Sequence, residues 1–254
     1  EVEQMNLFKD MVCYQEEVRD PSRMAEVLNR VIEKAFRGSA PAQINVPRDY
    51  WTQVIDIELP PIVRFERQGG GKEAIENAAK LLSKAKFPVI LSGAGVVLGG
   101  AIDECKKLAE KLDAPVCNGY QHNDSFPGSH PLAVGPLGYN GSKAAMELIS
   151  KADVVLALGT RLNPFSTLPG YGIDYWPKKA TIIQVDMNPD RIGLTKKVSV
   201  GICGDAKQVA QQILNKLTSD AGNTGREERK NLIHKTKSAW SVSYTHLRAH
   251  ETKR

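Results

Sequence analysis

Residues 88–100 read Pro88-Val-Ile-Leu-Ser-Gly93-Ala-Gly95-Val-Val-Leu-Gly99-Gly100. An apolar run of strand length is followed by a turn in which glycines, having no Cβ, allow a close backbone approach. Further β-branched runs, separated by segments with helical spacing of apolar residues, continue to Asp205. This alternation predicts an open parallel α/β sheet flanked by helices, in which ligands bind at the carboxyl ends of the strands.

The pattern on both sides of this stretch predicts a Rossmann-like domain over residues 72–218 with five strands and four helices. The expected strands are 88–92, 115–118, 154–159, 181–186 and 198–202, and the expected helices are 72–85, 102–112, 144–149 and 206–217. Asp205 is the expected N-cap of the last helix.

The first 50 residues have a different organisation. Asp20-Pro21 is typical of a helix start, and Met24, Leu28, Val31 and Ala35 are expected on its buried face before Gly38 ends it. A short strand at residues 44–46 follows. We therefore expect residues 1–50 to be the last helix-strand unit of an α/β domain whose beginning is absent, since the sequence has no initiator methionine. Residues 51–71 lack periodicity and are interpreted as a linker.

The C-terminal end carries the positive charge of the chain. Residues 226–254 hold eight Lys or Arg against three acidic residues, which equals the formal net charge of +5. The rest is neutral overall, which argues against nucleic-acid binding. We expect residues 219–240 to be a polar break and a linker helix packing on a missing domain, and residues 241–254 to be a non-native tail. His246 and His250 in that tail lack the partners of a zinc site.

Cysteine usage and hydropathy favour a cytoplasmic protein. Cys13, Cys105, Cys117 and Cys203 are far apart in sequence, without a CxxC pair, so neither a disulfide framework nor a metal site is predicted. No apolar run is long enough to span a membrane.

The candidate binding residues are Gly93, Gly95, Arg161 and Asp186, each at the expected end of a strand. Gly93 and Gly95 belong to a G-x-G-x-x-x-G spacing, which differs from the dinucleotide fingerprint, so a structural tight turn is favoured over a ligand cradle. Arg161 could bind a phosphate and Asp186 a ribose hydroxyl; equally, Arg161 could pair with a neighbouring acid and Asp186 could cap the helix that follows. No catalytic or metal-binding residue is predicted.

Other polar and aromatic residues have simpler interpretations. His122 and His130 lie in a loop without a nucleophile nearby, so they are interpreted as ordinary loop histidines. Tyr171, Tyr175 and Trp176 are expected to pack their loop against a neighbouring domain rather than to stack on a cofactor.

Four segments resemble thiamine-diphosphate enzymes of the acetolactate synthase and pyruvate oxidase superfamily. They are Gln43-Ile-Asn-Val-Pro-Arg-Asp49, Pro88-Val-Ile-Leu-Ser-Gly-Ala-Gly-Val96, Ala152-Asp-Val-Val-Leu-Ala-Leu-Gly-Thr-Arg161 and Ile182-Ile-Gln-Val-Asp-Met-Asn-Pro189. Within that superfamily, residues 163–177 and 190–205 look most like the sulfoacetaldehyde acetyltransferase family.

The resemblance implies the end of a pyrimidine-binding domain followed by the central domain. In such enzymes thiamine diphosphate and Mg²⁺ are bound by the two other domains, so this chain alone would be inactive. The implied reaction converts sulfoacetaldehyde and phosphate to acetyl phosphate and sulfite, in a homodimer or homotetramer, with neither nucleic acid nor membrane as a partner.

The sequence leaves two alternatives open. One is part of an acetolactate synthase-like enzyme whose central domain binds FAD. However, the segment after Arg161 reads Leu162-Asn163-Pro164-Phe165 and lacks the acidic pair and second arginine of those enzymes, which makes FAD doubtful. The other alternative is a non-catalytic nucleotide-binding module, because the same open sheet serves many functions.

Overall fold

A computed structural model describes residues 2–61, 66–139 and 141–251, with side chains described as far as residue 241. The chain divides into two compact units, residues 1–65 and residues 66–254. In the described part, no helix combines the length and the apolar character needed to cross a membrane.

The first unit is a small βαβ arrangement. It contains α1 (Gln4–Phe8), β1 (Tyr14–Glu17), α2 (Met24–Gly38) and β2 (Ala42–Asn45), and β1 and β2 pair in parallel. Asp20 accepts a hydrogen bond from the Ser22 amide and starts a 3₁₀ turn that leads into α2, as the sequence predicts. The sequence does not predict strand β1, since Tyr14-Gln-Glu-Glu17 lacks an apolar run.

The predicted buried face of α2 is wrong in part. Val27 and Val31 are buried, whereas Leu28 is 42% exposed, and Ile32 and Phe36 one and two turns later are also exposed. A two-stranded sheet covers only a narrow strip of the helix, so it buries the i, i+4 pair at residues 27 and 31 and leaves the neighbouring row uncovered.

The second unit is a parallel sheet with helices packed on both faces. Its elements are α3 (Lys72–Lys84), β3 (Pro88–Ser92), α4 (Ala94–Leu98), α5 (Ile102–Leu112), β4 (Val116–Asn118), β5 (Ala133–Pro136), α6 (Lys143–Ile149), β6 (Val154–Leu158), β7 (Thr181–Asp186), β8 (Val200–Cys203), α7 (Ala206–Lys216) and α8 (Arg226–Glu251). The strand order is β5-β4-β3-β6-β7-β8 with all pairs parallel. Every residue of β3 and β6 is buried, as central strands covered on both faces require.

The sheet has six strands, one more than the sequence predicts. The additional strand β5 reads Ala133-Val-Gly-Pro136, which is short and contains two residues that strands disfavour. Both residues are tolerated because β5 pairs only with β4 and forms the edge of the sheet.

Helix α8 packs on the second unit itself, which corrects the expectation that it packs on a missing domain. Arg229 and Ile233 of this helix are 1% and 4% exposed, and the helix contacts α6. It also continues to Glu251, through most of the expected tail; residues 252–254 and the side chains of His246 and His250 lie outside the described part.

Arg229 fixes the start of α8 through five hydrogen bonds to backbone carbonyls. Its guanidinium donates to the oxygens of Lys86, Leu112, Asp113, Gly222 and Thr224 at 2.6–2.9 Å. These carbonyls belong to the α3–β3 turn, to the end of α5 and to the turn before α8, so one side chain joins three segments. Burial lowers the pKa of Arg229, with Asp113 acting in the opposite direction.

We predict that Arg229→Met lowers the free energy of unfolding by at least about 3 kcal/mol, because it leaves buried carbonyls without donors. Arg229→Lys should lose less, since an ammonium keeps the charge and three of the donors. The control is Lys235→Met on the exposed side of the same helix, with an expected change within about 0.5 kcal/mol. Urea unfolding followed by circular dichroism measures the three values. Equal stability of the Arg229→Met and Lys235→Met variants would contradict the prediction.

Candidate functional site

The candidate residues lie at one edge of the sheet, beside its topological switch point. Neighbouring strands β3 and β6 occupy the centre, and the strand order runs outward from them in opposite directions. Gly93 follows β3, Arg161 follows β6 and Asp186 ends β7, so all three lie at the carboxyl edge, where open α/β sheets bind ligands.

The glycines bring two turns into direct backbone contact. The Gly93 amide donates to the Leu158 carbonyl at 3.1 Å, and the Gly95 amide donates to the Gly159 carbonyl at 2.8 Å. A Cβ on Gly95 would lie 2.7 Å from Gly159 Cα, and Gly159 itself has a φ of +61°. This geometry agrees with the structural tight turn, because the space that the missing side chains leave is filled by the chain itself.

Asp186 also has a structural contact. Its Oδ1 accepts a hydrogen bond from the Asn188 amide at 2.9 Å, and Asn188 in turn accepts one from the Asp190 amide. The side chain is largely buried at 8% exposure. Asp186 therefore closes the turn after β7. The expectation that it caps the following helix is wrong, because Asn188 is the N-cap of the short 3₁₀ helix at residues 189–191.

Arg161 is the candidate residue whose side chain is available to contact a ligand. It is exposed, and among the described residues its guanidinium has neither an ion pair nor a hydrogen bond. Only its carbonyl is used, as an acceptor for the Thr195 hydroxyl at 3.5 Å. The pairing with a neighbouring acid that the sequence allowed is not seen within this part of the chain.

The segment after Arg161 folds over the end of β4. The Ser166 hydroxyl accepts from the Tyr120 amide at 3.1 Å, and the Ser166 carbonyl accepts from the Tyr175 hydroxyl at 3.1 Å. Tyr175 is 1% exposed, and burial raises its pKa to about 12. This tyrosine thus packs inside its own unit, while Tyr171 stacks edge-on against Trp240 of α8.

Gln184 is a central polar residue of this edge that the sequence analysis did not single out. It is buried in β7, and its amide nitrogen donates to the carbonyls of Thr160 and Arg191 while its oxygen accepts from the Gly193 amide. It therefore holds the loops after β6 and β7 together. The sequence feature that could have indicated this role is a single side-chain amide, Gln184, between the apolar residues of a predicted strand.

Asn118 has a similar role at the end of β4, where a dinucleotide fold would place an acid. Its side chain donates to Ser125 Oγ at 3.0 Å and to the His122 carbonyl at 3.2 Å. Ser125 in turn contacts Ser92 of β3. This buried network fixes the loop that follows β4.

His130 has contacts within its own loop region, and Cys105 and Cys117 are buried. His130 Nδ1 accepts from the Leu132 amide, and its Nε2 lies 3.2 Å from Glu110. Burial raises the pKa of Cys105 to about 12 and also raises that of Cys117, so both thiols stay protonated. Within residues 2–61, 66–139 and 141–241, no three His, Cys, Asp or Glu side chains are grouped as metal ligands.

Comparison with known proteins identifies the family. The family model described as "Thiamine pyrophosphate enzyme, central domain" matches residues 75–213. The chain therefore belongs to the thiamine pyrophosphate enzyme central-domain family.

Individual relatives cover nearly all of the chain. It is 79% identical over 240 residues to a protein of Rhizobium meliloti named probable sulfoacetaldehyde acetyltransferase, covering 94% of this chain and 41% of the relative. It is 78% identical to the sulfoacetaldehyde acetyltransferase of Roseovarius nubinhibens, covering 95% and 40%. A probable acetolactate synthase large subunit of Methanocaldococcus jannaschii is 34% identical, with coverage of 84% and 37%. The chain thus spans about two fifths of the length of these relatives.

A solved structure shares the fold. Benzoylformate decarboxylase from Polynucleobacter necessarius matches with a TM-score of 0.75 at 23% identity, over 88% of this chain and 42% of that one. Together with the family match, this likeness confirms the predicted open parallel sheet as a thiamine-enzyme central domain.

Asp205 is not placed to bind the metal ion of a thiamine-diphosphate enzyme. The resemblance to thiamine-diphosphate enzymes implies a metal-binding Gly-Asp-Gly motif, and Gly204-Asp205-Ala206 differs from it at the third position. Asp205 is 1% exposed; its Oδ1 caps α7 by accepting from the Lys207 and Gln208 amides, and its Oδ2 pairs with Arg67 at 3.0 Å. A carboxylate with both oxygens committed in this way is not available to a metal ion.

We predict that Gly95→Ala destabilises the second unit by at least about 2 kcal/mol, because the new methyl group meets backbone that cannot move aside. Gly128→Ala is the matched control: a Cβ on Gly128 would meet no heavy atom within 4 Å, and its φ is not positive. Thermal unfolding of both variants tests this. A Gly95→Ala protein as stable as the Gly128→Ala protein would refute the packing role of Gly95.

Proposed function

We propose that this chain is part of a thiamine-diphosphate-dependent sulfoacetaldehyde acetyltransferase, which converts sulfoacetaldehyde and phosphate to acetyl phosphate and sulfite. The supporting observation is the 78–79% identity to relatives that carry this name, against 34% to a relative named as an acetolactate synthase. The bound cofactor would supply the electron sink for this chemistry.

Within that enzyme, we propose that residues 72–218 are the central domain and have an architectural role. The supporting geometry is the carboxyl edge, where Gly93, Gly95 and Asp186 are committed to contacts within the chain. Other domains would supply the catalytic residues and the Mg²⁺ ligands and would bind the cofactor. The complete enzyme would assemble as a homodimer or homotetramer in the cytoplasm.

We further propose that residues 1–50 belong to a pyrimidine-binding domain. In support, β1 and β2 form a parallel pair with one helix, and such a pair needs further strands for stability. Leu28, Ile32 and Phe36 form an exposed row along α2, which further elements of such a domain would cover. Residues 51–71 would be the linker between the two domains. Residues 219–240 would connect the central domain to a diphosphate-binding domain, and residues 241–254 would not belong to the enzyme.

A graft tests the proposed activity. Residues 1–240 replace the matching segment of the Rhizobium meliloti relative, and the segment of the Methanocaldococcus jannaschii relative is grafted in the same way as a control. We expect the first chimera to form acetyl phosphate and sulfite from sulfoacetaldehyde and phosphate at a rate within about tenfold of the parent. The reason is that the surface of the grafted segment matches the remaining domains of the relative. The control chimera should form these products at least about a hundredfold more slowly than the parent, because its contacts with the remaining domains are mismatched. A folded first chimera that forms acetolactate from pyruvate instead would overturn the assignment.

A nucleotide at the carboxyl edge is the second candidate function, since Arg161 is exposed and without a partner among the described residues. FAD is disfavoured there because residues 163–167 already lie over the end of β4. We predict no saturable binding of FAD by titration calorimetry. If ADP binds, Arg161→Ala should weaken it about tenfold or more through the lost phosphate contact, whereas Arg48→Ala in the other unit should not. Tight FAD binding would support the acetolactate synthase-like alternative.

A further inference from the structure

A crevice between α8, the end of α5 and the loop before β5 is a candidate binding site outside the carboxyl edge. It has a volume of about 640 Å³, within the range typical of small-molecule sites. The loop at residues 130–132 leads into β5 and Asp113 precedes β4, so the crevice lies at the amino edge of the sheet. Its lining residues are Glu110, Asp113, His130, Pro131, Leu132, Lys230, Ile233, His234, Lys237, Ser238 and Ser241.

The floor of the crevice is apolar. Leu132 and Ile233 are only 9% and 4% exposed and belong to the main core cluster, with Pro131 beside them. Apolar surface of this kind, next to a few polar groups, is the usual composition of a small-molecule site.

The two acidic residues of the crevice are already paired with basic residues. Glu110 Oε1 lies 3.2 Å from His130 Nε2 and 3.9 Å from Lys106 Nζ. Asp113 forms an ion pair with Arg226 and lies 3.8 Å from Lys230 Nζ. Neither carboxylate therefore offers an unshared negative charge.

Two basic side chains of α8 that line the crevice have no acidic partner among the described residues. Lys237 Nζ donates to the Pro131 carbonyl at 2.8 Å, and no described carboxylate lies within 4 Å of it. An ammonium carries three N–H donors, and this bond uses one of them. His234, one turn earlier on the same face, has no hydrogen-bond or ion-pair partner among the described side chains. Burial without a counter-charge also lowers the pKa of Lys237.

We propose that this crevice binds a small organic anion, whose carboxylate or sulfonate group contacts Lys237 and His234 while its apolar part lies on Leu132 and Ile233. The anion supplies the counter-charge that the partly buried ammonium lacks, and charge-assisted hydrogen bonds of this type are about twice as strong as neutral ones. Because one wall is α8 and the other is α5, a bound anion joins the two helices.

Calorimetric titration of the 254-residue chain tests the proposal with four probes of graded chemistry. Hexanoate and hexanesulfonate carry both the anionic head and the apolar tail, hexan-1-ol keeps only the tail, and inorganic phosphate keeps only charge. We expect saturable binding of the first two and at least about tenfold weaker binding of hexan-1-ol and phosphate. Equal binding of hexan-1-ol and hexanoate, or no saturation by any probe at about 10 mM, would overturn the proposal.

Substitutions on one helix locate the site. Lys237→Met keeps the length of the side chain without its charge and should weaken hexanoate binding at least about tenfold; His234→Gln should weaken it about threefold. Lys235→Met, an exposed neighbour outside the crevice, is the matched control and should bind within about twofold of the parent chain. Hydrogen exchange should slow at residues 130–132 and 230–241 on binding. Protection elsewhere with unchanged affinity of the Lys237→Met variant contradicts the assignment.

Discussion

The direct backbone contact between the turns after β3 and β6 is the constraint on which the carboxyl edge of the sheet depends. The hydrogen bond from the Gly95 amide to the Gly159 carbonyl is possible only because both positions lack a side chain. This contact joins the turns at the topological switch point, where the two halves of the sheet meet. The loops that follow β6 and β7 are then held in place by Gln184, a buried side chain that bonds to both.

The same edge shows that one fold can serve different functions. Its strand order is the one in which many proteins bind nucleotides, yet most of its polar groups here are used to shape the chain's own loops. A central domain built in this way is suited to holding a fixed geometry. In the enzyme that we propose, such a domain would contribute to catalysis by placing the domains that hold the cofactor.

At the opposite edge, electrostatics rather than close packing organises the structure. The buried Arg229 satisfies five carbonyls with one charge and joins the start of α8 to the α3–β3 turn and to the end of α5. A planar guanidinium suits this role because its donors diverge in a fixed geometry, which a lysine cannot reproduce. Further along α8, the charge balance differs: Lys237 has a neutral carbonyl as its partner, which is the basis for inferring an anion there.

The sequence alone determined the fold class, because continuous apolar runs of strand length and apolar residues at helical spacing are local properties of the chain. It placed β3, β6, β7 and helices α3, α5 and α7 nearly at their observed bounds. It also indicated the family, through the glycine-containing turns and the residues at the ends of the strands. Only the tertiary structure decided the strand β5, the buried face of α2, the packing of α8 and the roles of Gln184 and Arg229. Those features depend on which segments become neighbours: an edge position tolerates Gly135 and Pro136, and a buried arginine is stable only where distant carbonyls converge on it.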